Sequence, residues 1–193
     1  MQVIEELGLD AVLITSATNR RYLTGFSAED HAPDESSGVV LVANDSTTLF
    51  TSPTNLPWAM AEAWPNVVVR PAAKRWIAAA VEHLRARDVR RLGFEDATTT
   101  FADYSALHEA LPEVELIPLG DRIDSARRVK APNELESLTQ ALRITDEAFE
   151  QVIPRIRAGM TELALADAIR QALRELGSDG EAFPTIVASG PNA

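Results

Sequence analysis

Two textures of apolar residue follow one another along this chain. In the first, Ala11-Val12-Leu13-Ile14 and Gly38-Val39-Val40-Leu41-Val42 are short unbroken apolar runs, the pattern of strands covered on both faces. Asn44-Asp45-Ser46 supplies turn chemistry ahead of Thr47-Thr48-Leu49-Phe50-Thr51, which predicts a hairpin. Further short runs at 67–69, 92–94 and 114–117 predict strands, and residues 55–64, 74–87 and 101–111 between them carry helical patterns. The first seven residues read as the last turns of a helix stopped by Gly8. Strands alternating with helices predict an α/β domain with a mixed sheet, ending near residue 125.

The second texture starts at Pro132. Leu135, Leu138, Leu142, Phe149, Val152 and Ile156, with Thr145 filling the gap, recur at spacings of 3 and 4 and predict one apolar stripe along a long helix. Pro132 suits the first helical position, and Asn133, Glu134 and Glu136 place acceptors and negative charge at the positive end of the helix dipole. Pro154 is predicted to kink or end this helix, and Gly159 to close it. Thr161 is the predicted cap of a second helix, with Met160 and Leu165 as a staple, Leu165, Ile169, Ala172 and Leu176 as its buried stripe, and Gly177 as its stop. After a turn at 178–180, residues 183–188 are predicted to form a strand that needs a paired neighbour, so residues 126–193 read as half of a domain.

Composition narrows the function classes. At 193 residues, with 46 % hydrophobic and 24 % charged residues, the chain is too apolar for disorder and is expected to be globular. A net charge of −11 repels phosphate backbones and anionic lipid surfaces, which argues against nucleic acid and membrane partners. Without cysteine there is no disulfide framework or thiolate metal site. No apolar run approaches the roughly 18 residues of a membrane span, and the acidic start does not read as a signal peptide, so a cytoplasmic protein is expected.

Candidate chemistry is sparse. His31, His83 and His108 have no metal-ligand spacing; His83 and His108 fall on helix surfaces, while His31 sits in an acidic loop, residues 29–35, that either contacts a ligand or is simply solvated. No glycine-rich phosphate loop and no nucleophile elbow is present. Arg127-Arg128-Val129-Lys130 reads as a solvated linker or an anion site. Trp58, Trp64 and Trp76 at helical spacings either line a pocket for an apolar or proline-containing ligand or cover the sheet or a subunit contact. Residue patterns alone leave a soluble α/β domain followed by the start of another, with no complete active site.

Three segments add a resemblance. Leu9-Asp10-Ala11-Val12-Leu13-Ile14 with Asn19-Arg20-Arg21-Tyr22-Leu23-Thr24-Gly25-Phe26 looks like the opening of the N-terminal domain of the creatinase/aminopeptidase P/prolidase family. Arg127-Arg128-Val129-Lys130-Ala131-Pro132-Asn133-Glu134 is similar to that family's Arg-x-x-Lys-x-Pro-x-Glu junction, with Ala131 where an aspartate commonly caps the helix, a change costing about 1 kcal/mol. Gly159-Met160-Thr161-Glu162 and Phe183-Pro184-Thr185-Ile186-Val187-Ala188-Ser189-Gly190-Pro191-Asn192-Ala193 complete the resemblance.

The resemblance implies an N-terminal creatinase-like domain over residues 1–125 and the beginning of an α+β pita-bread metallopeptidase domain over 126–193. It implies a homodimeric Xaa-Pro aminopeptidase or dipeptidase whose full-length form holds two divalent ions, manganese, cobalt or zinc, that activate a bridging water. The family's catalytic histidine and metal ligands fall beyond Ala193, so no catalytic or metal residue is expected in this chain, which should be inactive alone. Phe183 and Ile186 are expected as apolar wall and Ser189 and Asn192 as polar positioning groups at the border of the substrate pocket, against the plainer reading that they pack a strand end. A creatinase-like C–N hydrolase and a non-catalytic scaffold are the competing expectations on the same fold.

Overall fold

The structure is a computed structural model that describes residues 2–32, 35–73 and 75–193. Pro33 and Asp34 of the acidic loop, and Lys74 at the predicted helix start, lie outside the described residues. The chain divides into two compact units, Met1–Arg128 and Val129–Ala193.

Unit 1 is built on a six-stranded mixed sheet. In chain order its elements are α1 (Gln2–Leu7), β1 (Ala11–Ile14), α2 (Ala17–Thr24), β2 (Gly38–Ala43), β3 (Ser46–Thr51), α3 (Leu56–Glu62), β4 (Val67–Pro71), α4 (Trp76–Arg85), β5 (Arg91–Phe94), α5 (Phe101–Ala110), β6 (Glu115–Pro118) and α6 (Arg122–Arg128). The spatial order is β4-β3-β2-β1-β5-β6. β2 pairs antiparallel with both β1 and β3, whereas β1 with β5, β5 with β6 and β3 with β4 pair in parallel. The predicted hairpin is β2–β3, with Ala43 opposite Ser46.

The period-2 alternation of the central strands explains the two cores. Ala11, Leu13, Val39, Leu41, Leu92 and Phe94 face α4 and α5, while Val12, Ile14, Val40, Val42 and Leu49 face α1, α2, α3 and α6. Both faces of β1 are therefore sealed, as its unbroken apolar run predicts.

Two helices have no apolar signature. α2 buries Asn19, Arg20 and Thr24. Arg20 is fully buried; its guanidinium pairs with Asp30 at 3.0 Å and donates to the carbonyls of Gly38 and Ala28, stitching α2 to the loop before β2. Such a charge is tolerable in the interior only because it is paired and bonded. α6 corrects the reading of Arg127-Arg128 as a solvated linker. Both arginines lie in its last turn: Arg128 pairs with Asp121, and Arg127 donates to Asn19 Oδ1 at 2.8 Å and stacks over Tyr22.

Unit 2 is a pair of helices, α7 (Pro132–Val152) and α8 (Glu162–Glu175), followed by an irregular segment. Ala131 caps α7 without a side-chain acceptor, but Glu134 Oε2 accepts the Ala131 N–H at 2.7 Å, so half of a capping box survives. Pro154 turns the chain into a 3₁₀ turn at Ile153–Arg155. Thr161 caps α8 by accepting the Ala164 N–H at 3.1 Å. The predicted stops Gly8, Gly159 and Gly177 all adopt the left-handed conformation. The core between α7 and α8 is small: Ala148, Val152, Ile169 and Ala172. Of the predicted α7 stripe only Val152 is buried; Leu135, Leu138, Leu142, Phe149 and Ile156 stay exposed.

Candidate functional site

The residues singled out at the end of the chain stand on α8. Glu162, in its first turn, takes a hydrogen bond from the Ser189 N–H at 2.6 Å and two from Asn192 Nδ2 at 3.2 and 3.1 Å. One carboxylate thus fixes both ends of the Ser189–Asn192 turn. A second carboxylate fixes the other side of the segment: Glu181 accepts from the N–H of Thr185 at 2.8 Å and from its hydroxyl, and pairs with Arg170 at 3.0 Å. The Thr185 hydroxyl, ahead of the Thr185 N–H and Arg170, holds the Glu181 carboxyl below the usual glutamate value of 4.5.

Between these clamps residues 183–188 form no strand, which corrects the prediction of one. No partner strand flanks them among the described residues. Pro184 has no N–H to offer, and the donors of Thr185 and Ser189 go to carboxylate side chains rather than to a ladder. Phe183 and Ile186 stand 69 % and 81 % exposed and line a groove of about 960 Å³ with Phe149, Leu165 and Ile169. The four predicted site residues therefore fall into two pairs: Phe183 and Ile186 on the groove, Ser189 and Asn192 on Glu162.

The other candidates separate. Trp76 is buried against the α4–α5 face of the sheet, while Trp58 meets Phe26 edge-on at 5.4 Å on the opposite face and Trp64 is half exposed, so the three tryptophans share no pocket. His83 packs edge-on against Phe50, and burial, with Arg87 and Arg70 nearby, pushes its imidazole down. His108 stacks on Tyr104. His31 stands with Thr15, Asp30, Trp76, Thr98 and Asp103 around a crevice of unit 1.

Sequence reasoning missed the clamps Glu162 and Glu181 and, in unit 1, Glu95. Glu95 is buried after β5, and its carboxylate accepts from the N–H of Thr15 at 2.6 Å and of Ser16 at 2.7 Å, and from Asn19 Nδ2 at 2.5 Å. Asn19 in turn bonds Asp124 and Arg127. This network joins two of the segments that carry the resemblance. Among the described residues, no group of three or more His, Cys, Asp or Glu side chains is placed to hold a metal ion. The donor set for a dinuclear centre is therefore not found among them.

Fold and sequence together define a chain of the creatinase/prolidase type. Residues 1–129 match the Creatinase/Prolidase N-terminal domain, and the chain belongs to that family; residues 136–193 match Metallopeptidase family M24. An Xaa-Pro dipeptidase of Lactobacillus delbrueckii subsp. lactis is 31 % identical over 98 % of this chain and 52 % of its own length. The structure of an Xaa-Pro dipeptidase from Bacillus anthracis superposes with a TM-score of 0.83 at 28 % identity, over 97 % of this chain and 50 % of that one. The N-terminal domain of the cytoplasmic peptidase PepQ from Mycobacterium tuberculosis H37Rv matches at 30 % identity and a TM-score of 0.54, over 63 % of this chain and 90 % of that one. The chain spans about half the length of the curated relatives it matches. No helix among the described residues is long and apolar enough to cross a membrane.

Proposed function

We propose that this chain is the front portion of a cytoplasmic, homodimeric, metal-dependent Xaa-Pro peptidase that cleaves peptide bonds before proline. Residues 1–125 form its creatinase-like domain, and residues 126–193 begin its pita-bread metallopeptidase domain. The observation that carries this reading is similarity along almost the whole chain, with the two family matches in order, to proteins named Xaa-Pro dipeptidase. Phe183 and Ile186 supply apolar wall at the border of the substrate pocket, which suits a proline ring, and Ser189 and Asn192, clamped by Glu162, supply polar positioning. Two divalent ions, manganese, cobalt or zinc, are held by ligands outside the described residues, and the 193-residue chain by itself turns nothing over.

The test compares this chain with a version extended to the length of the relatives, each assayed with manganese on Xaa-Pro dipeptides and on creatine. Hydrolysis of Xaa-Pro by the extended protein alone is the expected result. Turnover of creatine instead would replace the peptidase reading with a C–N hydrolase, and turnover of neither would leave a scaffold.

A further inference from the structure

An aspartate carries a latent reaction with its own backbone: the nitrogen of the next residue can close on the side-chain carboxyl carbon and form a succinimide ring. A folded chain permits this where the carboxylate is free to turn, where the following N–H is not locked in a helix or a ladder, and where the following residue leaves room for the ring.

Among the described residues most aspartates fail one of these conditions. Asp10 and Asp96 accept from backbone N–H groups, and Asp30, Asp45, Asp103 and Asp121 pair with arginines. Asp124, Asp146 and Asp167 stand within α6, α7 and α8. Asp88 is followed by Val89, which is buried and β-branched and so crowds the nitrogen.

Asp179 meets all three. It lies between the stop of α8 at Gly177 and the Glu181 clamp, exposed and in neither helix nor strand. Its carboxylate has no hydrogen-bond or ion-pair partner among the described residues, Arg170 being engaged by Asp167 and Glu181. The next residue is Gly180, the one glycine of the chain that follows an aspartate or asparagine. The Gly180 N–H makes a single long bond, 3.3 Å to the Ser178 hydroxyl, and open space surrounds the position where a side chain would stand. Both residues rim the groove that Phe183 and Ile186 line.

We propose that Asp179-Gly180 is a self-modification site, at which the folded chain converts Asp179 to isoaspartate. The Gly180 nitrogen bonds to Asp179 Cγ, and one carboxyl oxygen leaves as water with the amide hydrogen and a solvent proton. Water then adds to the Asp179 main-chain carbonyl carbon, and the bond from that carbon to the Gly180 nitrogen breaks. The nitrogen takes a hydrogen, the carbon keeps the oxygen as a carboxylate, and the mass returns to its starting value. The main chain now runs through Cβ and Cγ, one methylene longer just ahead of Glu181. Glu181 is thereby displaced from α8 and its bonds to Thr185 and Arg170 are lost. The reaction does not depend on the peptidase reading; only its effect on substrate, through a loosened wall at Phe183 and Ile186, rests on that reading.

The test ages the folded chain in neutral buffer and digests samples with trypsin. Residues 175–193 are released as one peptide, because no Lys or Arg follows Arg174, and Asp179 is its only aspartate. A second form of unchanged mass, resolved by reversed-phase chromatography and identified as isoaspartate by electron-transfer fragmentation, should accumulate with time. Deamidation of Asn192 would raise the mass and is thereby separated. Gly180→Ala should suppress the second form and Asp179→Glu should eliminate it. In the aged chain the Thr185 amide signal should split, its new component falling where Glu181→Gln places it, while the Ala164 signal at the α8 cap stays single. The proposal is overturned if the second form does not exceed the level in Asp179→Glu, or if it accumulates only in urea, which would show that the folded turn protects the pair. A second form with an unsplit Thr185 signal would overturn the coupling to the Glu181 clamp.

Discussion

Unit 1 covers both faces of its sheet with helices and buries large side chains such as Leu13, Phe26, Phe50 and Leu92 at 2 % exposure or less. Unit 2 carries an apolar stripe along its long helix and buries little of it: the α7–α8 core rests on two alanines, one valine and one isoleucine, while Leu135, Leu138, Leu142, Phe149 and Ile156 face outward. Both units are marked by strong local signals, well-capped helices in one case and apolar strands in the other. What differs is whether a second layer is present. Helix capping and amphipathic periodicity specify a helix, but stability comes mainly from the surface the helix lies on.

The largest effect that sharpens this contrast is expected from Arg20→Ala. Removing the guanidinium takes the charge partner from the partly buried Asp30, which keeps only the Ser37 N–H, and leaves the buried Ala28 carbonyl without its side-chain donor, at about 3–5 kcal/mol. Denaturant titration followed by tryptophan fluorescence reads unit 1 alone, because all three tryptophans lie there. A loss below about 1 kcal/mol would mean that the arginine clamp is replaceable. Next, amide exchange should protect β1, β2 and β5 by about 2 kcal/mol or more beyond α7 and α8. Equal protection would show that the two-helix core suffices and would dissolve the comparison. A smaller effect follows from the cap of α8: Thr161→Ala should cost about 1 kcal/mol, visible as reduced helicity in far-ultraviolet circular dichroism with unchanged fluorescence.

The smallest effect concerns pH. The native Glu181 carboxyl is held low, so its contribution is complete above the usual value of 4.5 and fades as pH falls through the depressed native value. The group is exposed, and solvent screens what it contributes. The Thr185 amide signal should follow that titration, and in Glu181→Gln it should stay flat over the same range. A flat signal in the unsubstituted chain would show that the clamp is not formed.

The elements legible in the sequence are those whose side-chain period is apolar. All six strands and the helices α3, α4, α5, α7 and α8 follow from runs, stripes and caps. α2 stayed hidden because the residues it turns inward are Asn19, Arg20 and Thr24, and hydrophobic periodicity cannot register a polar interior. α6 buries only Ile123 and is fastened by arginine contacts instead. Residues 183–188 misled in the opposite direction. Ile186 and Val187 suit a strand, but a strand exists only with a neighbour, and its absence turns the same residues into an exposed segment held by side chains. The site residues on that segment were reachable through the resemblance. Glu162 stood in the resemblance without a role and Glu181 stood outside it, because a glutamate on a helix or in a turn is indistinguishable in sequence from a solubilising one.

The placement of β1 also bears on how the chain is made. It sits in the middle of the sheet with its β2 partner soon after it, but its other partner, β5, begins only at Arg91. A ribosome moving through the intervening residues has already released the hairpin and β1, whose far edge carries an unpaired row of backbone donors and acceptors flanked by apolar side chains. Until β5 emerges and docks, that edge is the nascent chain's most adhesive surface, and slow translation over this interval would lengthen the time for which a holding chaperone is needed.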